Sequence, residues 1–403
     1  MSTVVDGMQS LSPTEPHATH AFRIAMAAGE SSGDLLAGLL LGGLNSQQVA
    51  HQAYGIGGPL MQAQGFEVWR SYQELAVRGY VEVLRHYRRI VGIRKQLAAM
   101  LLADKPSMFI GVDAPDFNLD LELQLRSKGI KTVHFVSPSI WAWRPARLEK
   151  IKQACDHVLC IFPFEPAIYA QAGVASTFVG HPLADIMPME PDQVGARLKL
   201  NLPADKPVVA LLPGSRQSEI AQLAPQFLQA ARLMHQARSD LLFVLPVAPA
   251  MMSQVQSMVA RAGLTDVDWL HVLDGQSHVA LAACDVTLIA SGTATLEAAL
   301  SKRPMVIAYR MPQLSWQIMK RKRLQPWVGL PNILAQSFVV PELLQDQASP
   351  ASLAEKTLAW LDNPAAYDHV RTRFAEVHDS LRMNTPVIAS EAIQRIANAS
   401  DQD

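Results

Sequence analysis

The chain has 403 residues, more than a single hydrophobic core of about 250 residues accommodates, so we expect two domains. Apolar residues make up 49%, charged residues 18%, and the formal net charge is −1, which gives no support for nucleic-acid binding. The three cysteines, Cys155, Cys160 and Cys284, lack zinc-site spacing, and we interpret them as reduced core thiols of a cytoplasmic protein.

Targeting and membrane-spanning segments are not expected. No apolar run approaches the ~18 residues that a membrane-spanning helix needs. Residues 1–20 contain no Lys or Arg and no continuous apolar segment, which predicts a disordered tail rather than a signal peptide.

Alternating strand-like and helical patterns predict an α/β protein built from two Rossmann-like lobes with parallel sheets. The first series begins at Phe22, a proline-rich interval from Pro182 to Pro203 is interpreted as a linker, and a second series begins at Val208. The pattern is purely helical from Ser352 onward, which suggests a C-terminal helix crossing back to the first lobe. The predicted divisions are a tail at 1–20, a first lobe at 21–190, a second lobe at 191–364, and C-terminal helices at 365–403 that pack on the first lobe.

In the first lobe, strand Phe22–Ala28 leads into a polar loop and an apolar helix. The carboxyl edge of an open α/β sheet is where ligands bind, so Glu30, Ser32 and Asp34 are candidate contacts. The alternative is that Ser32 or Asp34 only caps the helix.

Asp113 follows another predicted strand, where its carboxylate is free to face a cleft and act as a general base. Pro115 suits the first turn of the next helix, so Asp116 is interpreted as a helix N-terminal charge. The alternative for Asp113 is a helix-capping or structural role.

Trp141, Trp143 and Arg144 directly follow a strand, and aromatic faces with a guanidinium suit a sugar phosphate. The tryptophans could equally pack between the lobes. His181, near the linker, is expected to be structural more often than catalytic.

Two strand-to-helix junctions in the second lobe predict anion binding. The strand Val286–Ala290 ends at Ser291 and is followed at once by an apparent amphipathic helix, whose first N–H groups suit a phosphate and whose Glu297 suits a ribose. The strand Val208–Leu212 precedes a similar loop. The predicted nucleotide contacts in these two loops are Gly214, Ser215, Arg216, Gly292, Thr293, Ala294 and Glu297.

Arg216 is the expected cation for a leaving diphosphate, because no residue cluster with metal-ligand spacing is evident and no metal or other cofactor is expected. The alternative is a surface arginine at the start of a helix.

A basic amphipathic stretch, Val81–Lys95, favours an interfacial helix at a membrane. A second basic run, residues 320–323, lies between Trp316 and Trp327, a pairing that suits anionic headgroups. The alternative for each is a core-facing helix with a charged rim. The predicted membrane contacts are Val81, Val83, Leu84, Tyr87, Ile90 and Val91.

Taken together, these motifs resemble the lipid-A-disaccharide synthase family over nearly the whole chain after residue 20. The segments that carry the resemblance are 29–34 (GESSGD), 113–118 (DAPDFN), 139–144 (SIWAWR), 162–165 (FPFE), 212–216 (LPGSR), 291–297 (SGTATLE) and 330–332 (LPN). Ser31 and Val112 depart from the family's usual alanine and isoleucine, and neither has a proposed role.

The resemblance implies a metal-independent GT-B glycosyltransferase on the cytoplasmic surface of the inner membrane. It would join UDP-2,3-diacylglucosamine to 2,3-diacylglucosamine 1-phosphate with inversion, giving the β-1,6 disaccharide phosphate and UDP. It also implies that Asp113 is the base, that Glu30, Ser32 and Asp34 lie on the acceptor side, and that Arg216, Glu297 and Asn332 bind the nucleotide. The alternatives are another UDP-sugar enzyme on this scaffold, such as a 2-epimerase or a muramyl-type N-acetylglucosaminyltransferase, and a non-enzymatic two-lobed binding protein.

Overall fold

A computed structural model describes residues 22–75, 83–141, 146–322 and 324–399. Within these ranges the chain forms two lobes, each with one parallel sheet covered by helices. The predicted contacts Val81, Trp143 and Arg144 lie outside the described residues.

The first lobe contains a seven-stranded sheet in the order β3-β2-β1-β4-β5-β6-β7. Its strands are β1 Phe22–Ala28, β2 His51–Gly57, β3 Glu67–Ser71, β4 Met108–Val112, β5 Lys131–Phe135, β6 His157–Cys160 and β7 Ser176–Phe178. Its helices are α1 Ser31–Ser46, α2 Pro59–Gln62, α3 Val83–Asp104, α4 Pro115–Arg126, α5 Arg147–Ala154, α6 Glu165–Gln171 and α7 Pro182–Ile186. The apolar run of β4 is buried throughout, as expected for a parallel strand covered on both faces.

The second lobe contains a six-stranded parallel sheet in the order β10-β9-β8-β11-β12-β13. Its strands are β8 Val208–Leu212, β9 Leu242–Val247, β10 Leu270–Asp274, β11 Val286–Ala290, β12 Met305–Tyr309 and β13 Glu342–Leu344. The helices of this half of the chain are α8 Gln193–Lys199, α9 Gln217–Ala237, α10 Met252–Arg261, α11 Ser277–Ala283, α12 Ala294–Leu300, α13 Gln313–Lys322, α14 Leu330–Ala335 and α15 Pro350–Leu361.

Two further helices, α16 Pro364–Leu381 and α17 Thr385–Asn398, connect the lobes. Helix α16 packs on α12 and α14 of the second lobe and on α7, whereas α17 packs along α1 of the first lobe. The buried His378 imidazole joins these parts: Nε2 lies 2.8 Å from the Ala184 carbonyl oxygen, and Nδ1 contacts the Lys302 ammonium. The two Rossmann-like lobes and the returning C-terminal helix expected from the sequence are therefore present.

Three details differ from the sequence-based expectation. The edge strands β3 and β13 were missed: β3 has only two apolar residues among five, and β13 has only three residues. Helix α12 has seven residues and is mostly buried, so it is not amphipathic.

Among the described residues, no helix is long and apolar enough to cross a membrane.

Candidate functional site

In each sheet the strand order reverses direction between two neighbouring central strands, and loops with polar residues follow those strands. In the first sheet β1 and β4 are neighbours, and in the second β8 and β11 are neighbours. The chain leaves each of these strands at the carboxyl edge, where open α/β sheets bind ligands. The residues 29–34 and 113–118 therefore share one edge, and 213–216 and 291–293 share the other.

The loop after β11 presents unpaired backbone donors. Ser291 is held by its N–H, which donates to the Ala308 carbonyl, and by its hydroxyl, which donates to the Val328 carbonyl at 2.9 Å. The N–H groups of Gly292, Thr293 and Ala294 make no hydrogen bond to any part of the chain that the structure describes. Because these donors line a cavity, they are available to an anionic ligand.

Glu297 lies one turn into α12, on the wall of the same cavity. Its Oε2 is 3.3 Å from Nε2 of His278, and this carboxylate raises the pKa of the imidazole. Sequence reasoning missed His278, which lies on α11 and approaches Glu297 only through the packing of the two helices.

The loop after β8 has a different arrangement from the one expected. Glu219 accepts hydrogen bonds from the N–H groups of Ser215 and Arg216, and it also binds the Arg216 guanidinium at 3.1 Å. These amides are thus already capped by a carboxylate that sequence reasoning missed, although its position three residues into a helix is the usual place for such a cap. Gly214 has φ +114, and a Cβ there would lie 2.6 Å from Glu219, so glycine is required.

The Arg216 side chain is 80% exposed, so it is free to turn toward a ligand in the adjoining cavity. That cavity has a volume of about 360 Å³, within the usual range for small-molecule sites. It brings together all seven predicted contacts of the two loops. Further lining comes from Leu212, Glu219, Ala290 and Ser291 beside these loops. Another part of the wall, which was not predicted, comes from the end of β9 and the residues after β9 and β10, namely Pro246, Val247, Ala248, Gly275 and Ser277.

Asp113, in the first lobe, lies in a strained turn. Its φ is +52 and that of Ala114 is +43, so two consecutive non-glycine residues adopt the left-handed conformation. The half-buried carboxylate of Asp113 has no hydrogen-bond partner among the described residues. A carboxylate left free at a strand tip is available to accept a proton.

Neighbouring side chains hold this turn in place. The buried Asn118 amide donates to the Asp113 carbonyl at 2.8 Å and to the Ala27 carbonyl at 3.1 Å. A Cβ on Gly29 would lie 2.2 Å from the Ala114 Cβ, so the loop after β1 contacts the turn closely. The base candidate and the acceptor-side loop are therefore adjacent.

Within the loop after β1, only some of the predicted contacts are accessible. Glu30 and Ser32 are exposed at the start of α1. Asp34 is buried, and its carboxylate accepts hydrogen bonds from the N–H groups of Gly58 and Met61, at 2.9 and 3.2 Å, and from a third, that of Leu60. Asp34 thus holds the start of α2, and its contact with the acceptor stays a prediction.

Asn332 also has a structural role, and its contact with the nucleotide stays a prediction. It is fully buried; its carbonyl oxygen accepts hydrogen bonds from the N–H groups of Val339 and Val340, and its amide donates to Glu342. The Glu342 carboxylate in turn accepts hydrogen bonds from the N–H groups of Val328 and Gly329. Asn332 therefore supports the segment that contacts Ser291, without lining the cavity.

Trp141 packs inside the first lobe. Its ring meets those of Phe162 and Phe164 edge-on, and its indole N–H donates to the buried Glu165 at 3.0 Å. These contacts all lie within the first lobe, so they are not the packing between lobes that was the alternative for the tryptophans.

A buried polar cluster, Glu122, His134 and Cys155, lies on α4, β5 and the end of α5. The Glu122 carboxylate contacts Nδ1 of His134 at 2.8 Å and accepts the Cys155 thiol proton at 3.2 Å. Burial raises the pKa of this thiol well above its ordinary value. Sequence reasoning found no metal-type cluster because these residues are 12 and 21 positions apart.

Five of the six predicted membrane contacts, Val83, Leu84, Tyr87, Ile90 and Val91, fall on α3, and we call them the α3 stripe. The side chains of Val83, Leu84 and Tyr87 lie outside the described part of the structure. Ile90 packs against the core beneath the helix, so it is a core residue at least in part, and Val91 is half-buried. The stripe therefore merges with a core-facing surface toward its C-terminal end.

Comparison with known proteins gives consistent results over the full length. The family model described as lipid-A-disaccharide synthetase matches residues 24–393. The lipid-A-disaccharide synthase of Albidiferax ferrireducens is 58% identical over 379 residues, covering 93% of this chain and 97% of the relative. That of Burkholderia lata is 53% identical over 384 residues, covering 94% of this chain and 98% of the relative.

Solved structures with a similar fold are more distant in sequence. S. aureus MnaA, determined with UDP, has a TM-score of 0.65 at 11% identity, covering 94% of this chain and 97% of that one. The calicheamicin glycosyltransferase CalG4 has a TM-score of 0.59 at 15% identity, covering 94% and 99%. These similarities confirm the expected two-lobed GT-B architecture.

Proposed function

The chain belongs to the lipid-A-disaccharide synthase family, and from this premise we propose the substrates and the residues of its glycosyl transfer. The donor is UDP-2,3-diacylglucosamine and the acceptor is 2,3-diacylglucosamine 1-phosphate. The products are the β-1,6 disaccharide 1-phosphate and UDP.

The observation that carries this assignment is the cavity after β8 and β11. It combines three N–H groups that have no partner among the described residues, those of Gly292, Thr293 and Ala294, with the exposed guanidinium of Arg216. Backbone donors and a guanidinium together suit a diphosphate. Glu297, one turn away, suits the ribose hydroxyls.

In the proposed reaction, the acceptor 6-hydroxyl attacks the anomeric carbon from the face opposite the diphosphate. The new C–O bond forms as the bond to UDP breaks, so configuration inverts in one displacement. The hydroxyl proton passes to Asp113, and the departing diphosphate carries the electron pair. Arg216 and the free N–H groups stabilise that developing charge, while the two lobes exclude water.

Two further parts complete the proposal. Glu30 and Ser32, exposed beside the Asp113 turn, contact the acceptor sugar together with Trp143 and Arg144. The α3 stripe places the protein peripherally on the cytoplasmic face of the inner membrane, where the acyl chains of both substrates remain.

The test is UDP release from the two acylated substrates in mixed micelles, with and without EDTA. We expect UDP release with both substrates present and equal rates with the chelator. Loss of activity in EDTA would contradict charge stabilisation by Arg216 and backbone donors alone. Turnover of unacylated UDP-sugar without an acceptor would favour an epimerase-type reaction instead.

A further inference from the structure

The second lobe has an exposed apolar and basic surface that the proposed reaction does not use. Phe338 is 63% exposed and Leu324 is 55% exposed. The ring of the half-buried Trp327 packs edge-on against Phe338, with centroids 6.3 Å apart. Lys320 and Arg321 are exposed at the end of α13. We call these five residues the α13 surface.

The sequence of the segment that carries this surface is basic. From Arg310 through Pro341 it has five Lys and Arg residues and no Asp or Glu, whereas the whole chain has 35 basic and 36 acidic residues. The next residue, Glu342, accepts hydrogen bonds from the N–H groups of Val328 and Gly329. Such a basic segment is complementary to an anionic partner. Exposed Phe and Leu beside Lys and Arg match a lipid surface, where apolar side chains enter the acyl region and cations contact the headgroups.

The α13 surface is directly linked to the nucleotide cavity. Val328 follows Trp327, and its carbonyl accepts the hydrogen bond from the Ser291 hydroxyl, with 2.9 Å between the oxygens. Ser291 is itself part of the cavity wall. A donor whose diphosphate binds the neighbouring N–H groups would therefore have its acylated sugar near this surface.

We propose that the α13 surface is a second lipid-contact site, which docks the second lobe on an anionic membrane beside the donor cavity. This inference rests on the proposed acylated donor. The α3 stripe would hold the first lobe and the α13 surface the second, so that both lobes meet one lipid surface.

The experiment measures binding of the full-length protein to vesicles of phosphatidylcholine with and without phosphatidylglycerol. Two variants test the site, Leu324→Ser with Phe338→Ser, and Lys320→Glu with Arg321→Glu. Leu198→Ser with Lys199→Glu is the matched control, because these residues are an exposed leucine and lysine on α8. UDP affinity, measured by calorimetry, reports whether each variant is folded.

We expect the Lys320/Arg321 variant to weaken binding to anionic vesicles by about tenfold or more, since each lost basic contact with the membrane is costly. The Leu324/Phe338 variant is expected to weaken it severalfold, with UDP affinity and the control unchanged. If the Leu324/Phe338 variant loses UDP affinity, it is not correctly folded, and the vesicle binding of the Lys320/Arg321 variant alone then tests the proposal.

Wild-type binding by the Lys320/Arg321 variant, or equal binding of the wild type to vesicles without phosphatidylglycerol, would overturn the proposal. So would a wild-type dimer that the serine variant abolishes in light scattering, because the surface would then bind a second copy. The micelle assay for UDP release tests the proposed function separately from the lipid site. If no UDP is released but the variants change vesicle binding as expected, the proposed reaction is wrong and the lipid site stands.

Discussion

Asp113 occupies a backbone conformation that only a well-supported turn can hold. Two left-handed non-glycine residues in succession cost on the order of 1–3 kcal/mol each. The Asn118 amide and the close contact with Gly29 stabilise the turn from either side. The result is a carboxylate at a fixed position, with no partner among the described residues.

Replacing Asp113 with Asn keeps the shape of the side chain and removes the proton acceptor. We expect turnover to fall by ~10² or more with UDP affinity unchanged, because the nucleotide cavity lies in the other lobe. Steady-state UDP release and calorimetry with UDP measure the two quantities. Near-normal turnover would exclude Asp113 as the base.

The sequence identified which loops carry the site but not which polar side chains within them are accessible. Gly292, Thr293 and Ala294 were predicted because unpaired N–H groups follow from the strand-to-helix junction alone. The buried roles of Asp34 and Asn332 depend on amides at Gly58 and Val339, positions that adjacency in the sequence does not reveal. From the sequence alone, a polar side chain that accepts hydrogen bonds from distant backbone N–H groups cannot be distinguished from one that binds a ligand.

Two buried titratable groups of the first lobe, His181 just before α7 and Glu165 at the start of α6, have pKa values that move in opposite senses. Burial lowers the pKa of His181 from 6.5 to about 4, and His181 Nδ1 accepts the Leu183 N–H as the cap of α7. Burial raises the pKa of Glu165 from 4.5 to about 7. The neutral forms of both groups are therefore favoured in the folded protein.

Their effects on the free energy of unfolding have opposite signs. The contribution of neutral His181 is present above pH 6.5 and is lost as pH falls through about 4, whereas that of protonated Glu165 is present below pH 4.5 and is lost as pH rises through about 7. Between pH 4.5 and 6.5 the two slopes, each ~1.4 kcal/mol per pH unit, oppose each other.

Single variants should expose each slope. Relative to wild type, His181→Asn is expected to lose stability as pH rises from 4.5 to 6.5, and Glu165→Gln is expected to gain it. Denaturant unfolding at several pH values measures both. Parallel curves for wild type and both variants would show that these groups titrate normally in the folded protein.

Most elements followed from apolar periodicity, and the exceptions have a common physical cause. Central strands such as β4 and β11 are buried on both faces, so their sequences are continuous apolar runs. The edge strands β3 and β13 are only partly buried, and their residues need not be apolar. Helix α12 was predicted from its start, but its burial depends on α16, which comes from the end of the chain.

The packing of α12 links the nucleotide cavity to the rest of the molecule. Its Leu296 and Leu300 belong to the apolar cluster that also contains Leu381 of α16 and residues of the first lobe. The loop that carries the free N–H groups is thus anchored where the two lobes and the C-terminal helices meet.

The α3 stripe gives a prediction about how the whole molecule associates with membranes. Replacing Val83, Leu84 and Tyr87 with serine should weaken vesicle binding severalfold without changing UDP affinity, because less apolar surface then enters the interface. Ile90→Ser is the contrasting variant and should lower stability, since Ile90 packs on the core. If the triple variant binds vesicles as tightly as the wild type, the stripe is not a membrane contact.

In the proposed reaction, a uridine nucleotide binds the second lobe through backbone donors and Arg216, opposite the Asp113 carboxylate. A crystal structure of the protein with UDP tests it most directly. The diphosphate is expected within hydrogen-bond distance of the N–H groups of Gly292, Thr293 and Ala294, with Arg216 turned away from Glu219 to meet it and the ribose on Glu297. UDP bound elsewhere, or an Asp113 carboxylate directed away from the gap between the lobes, would contradict the account.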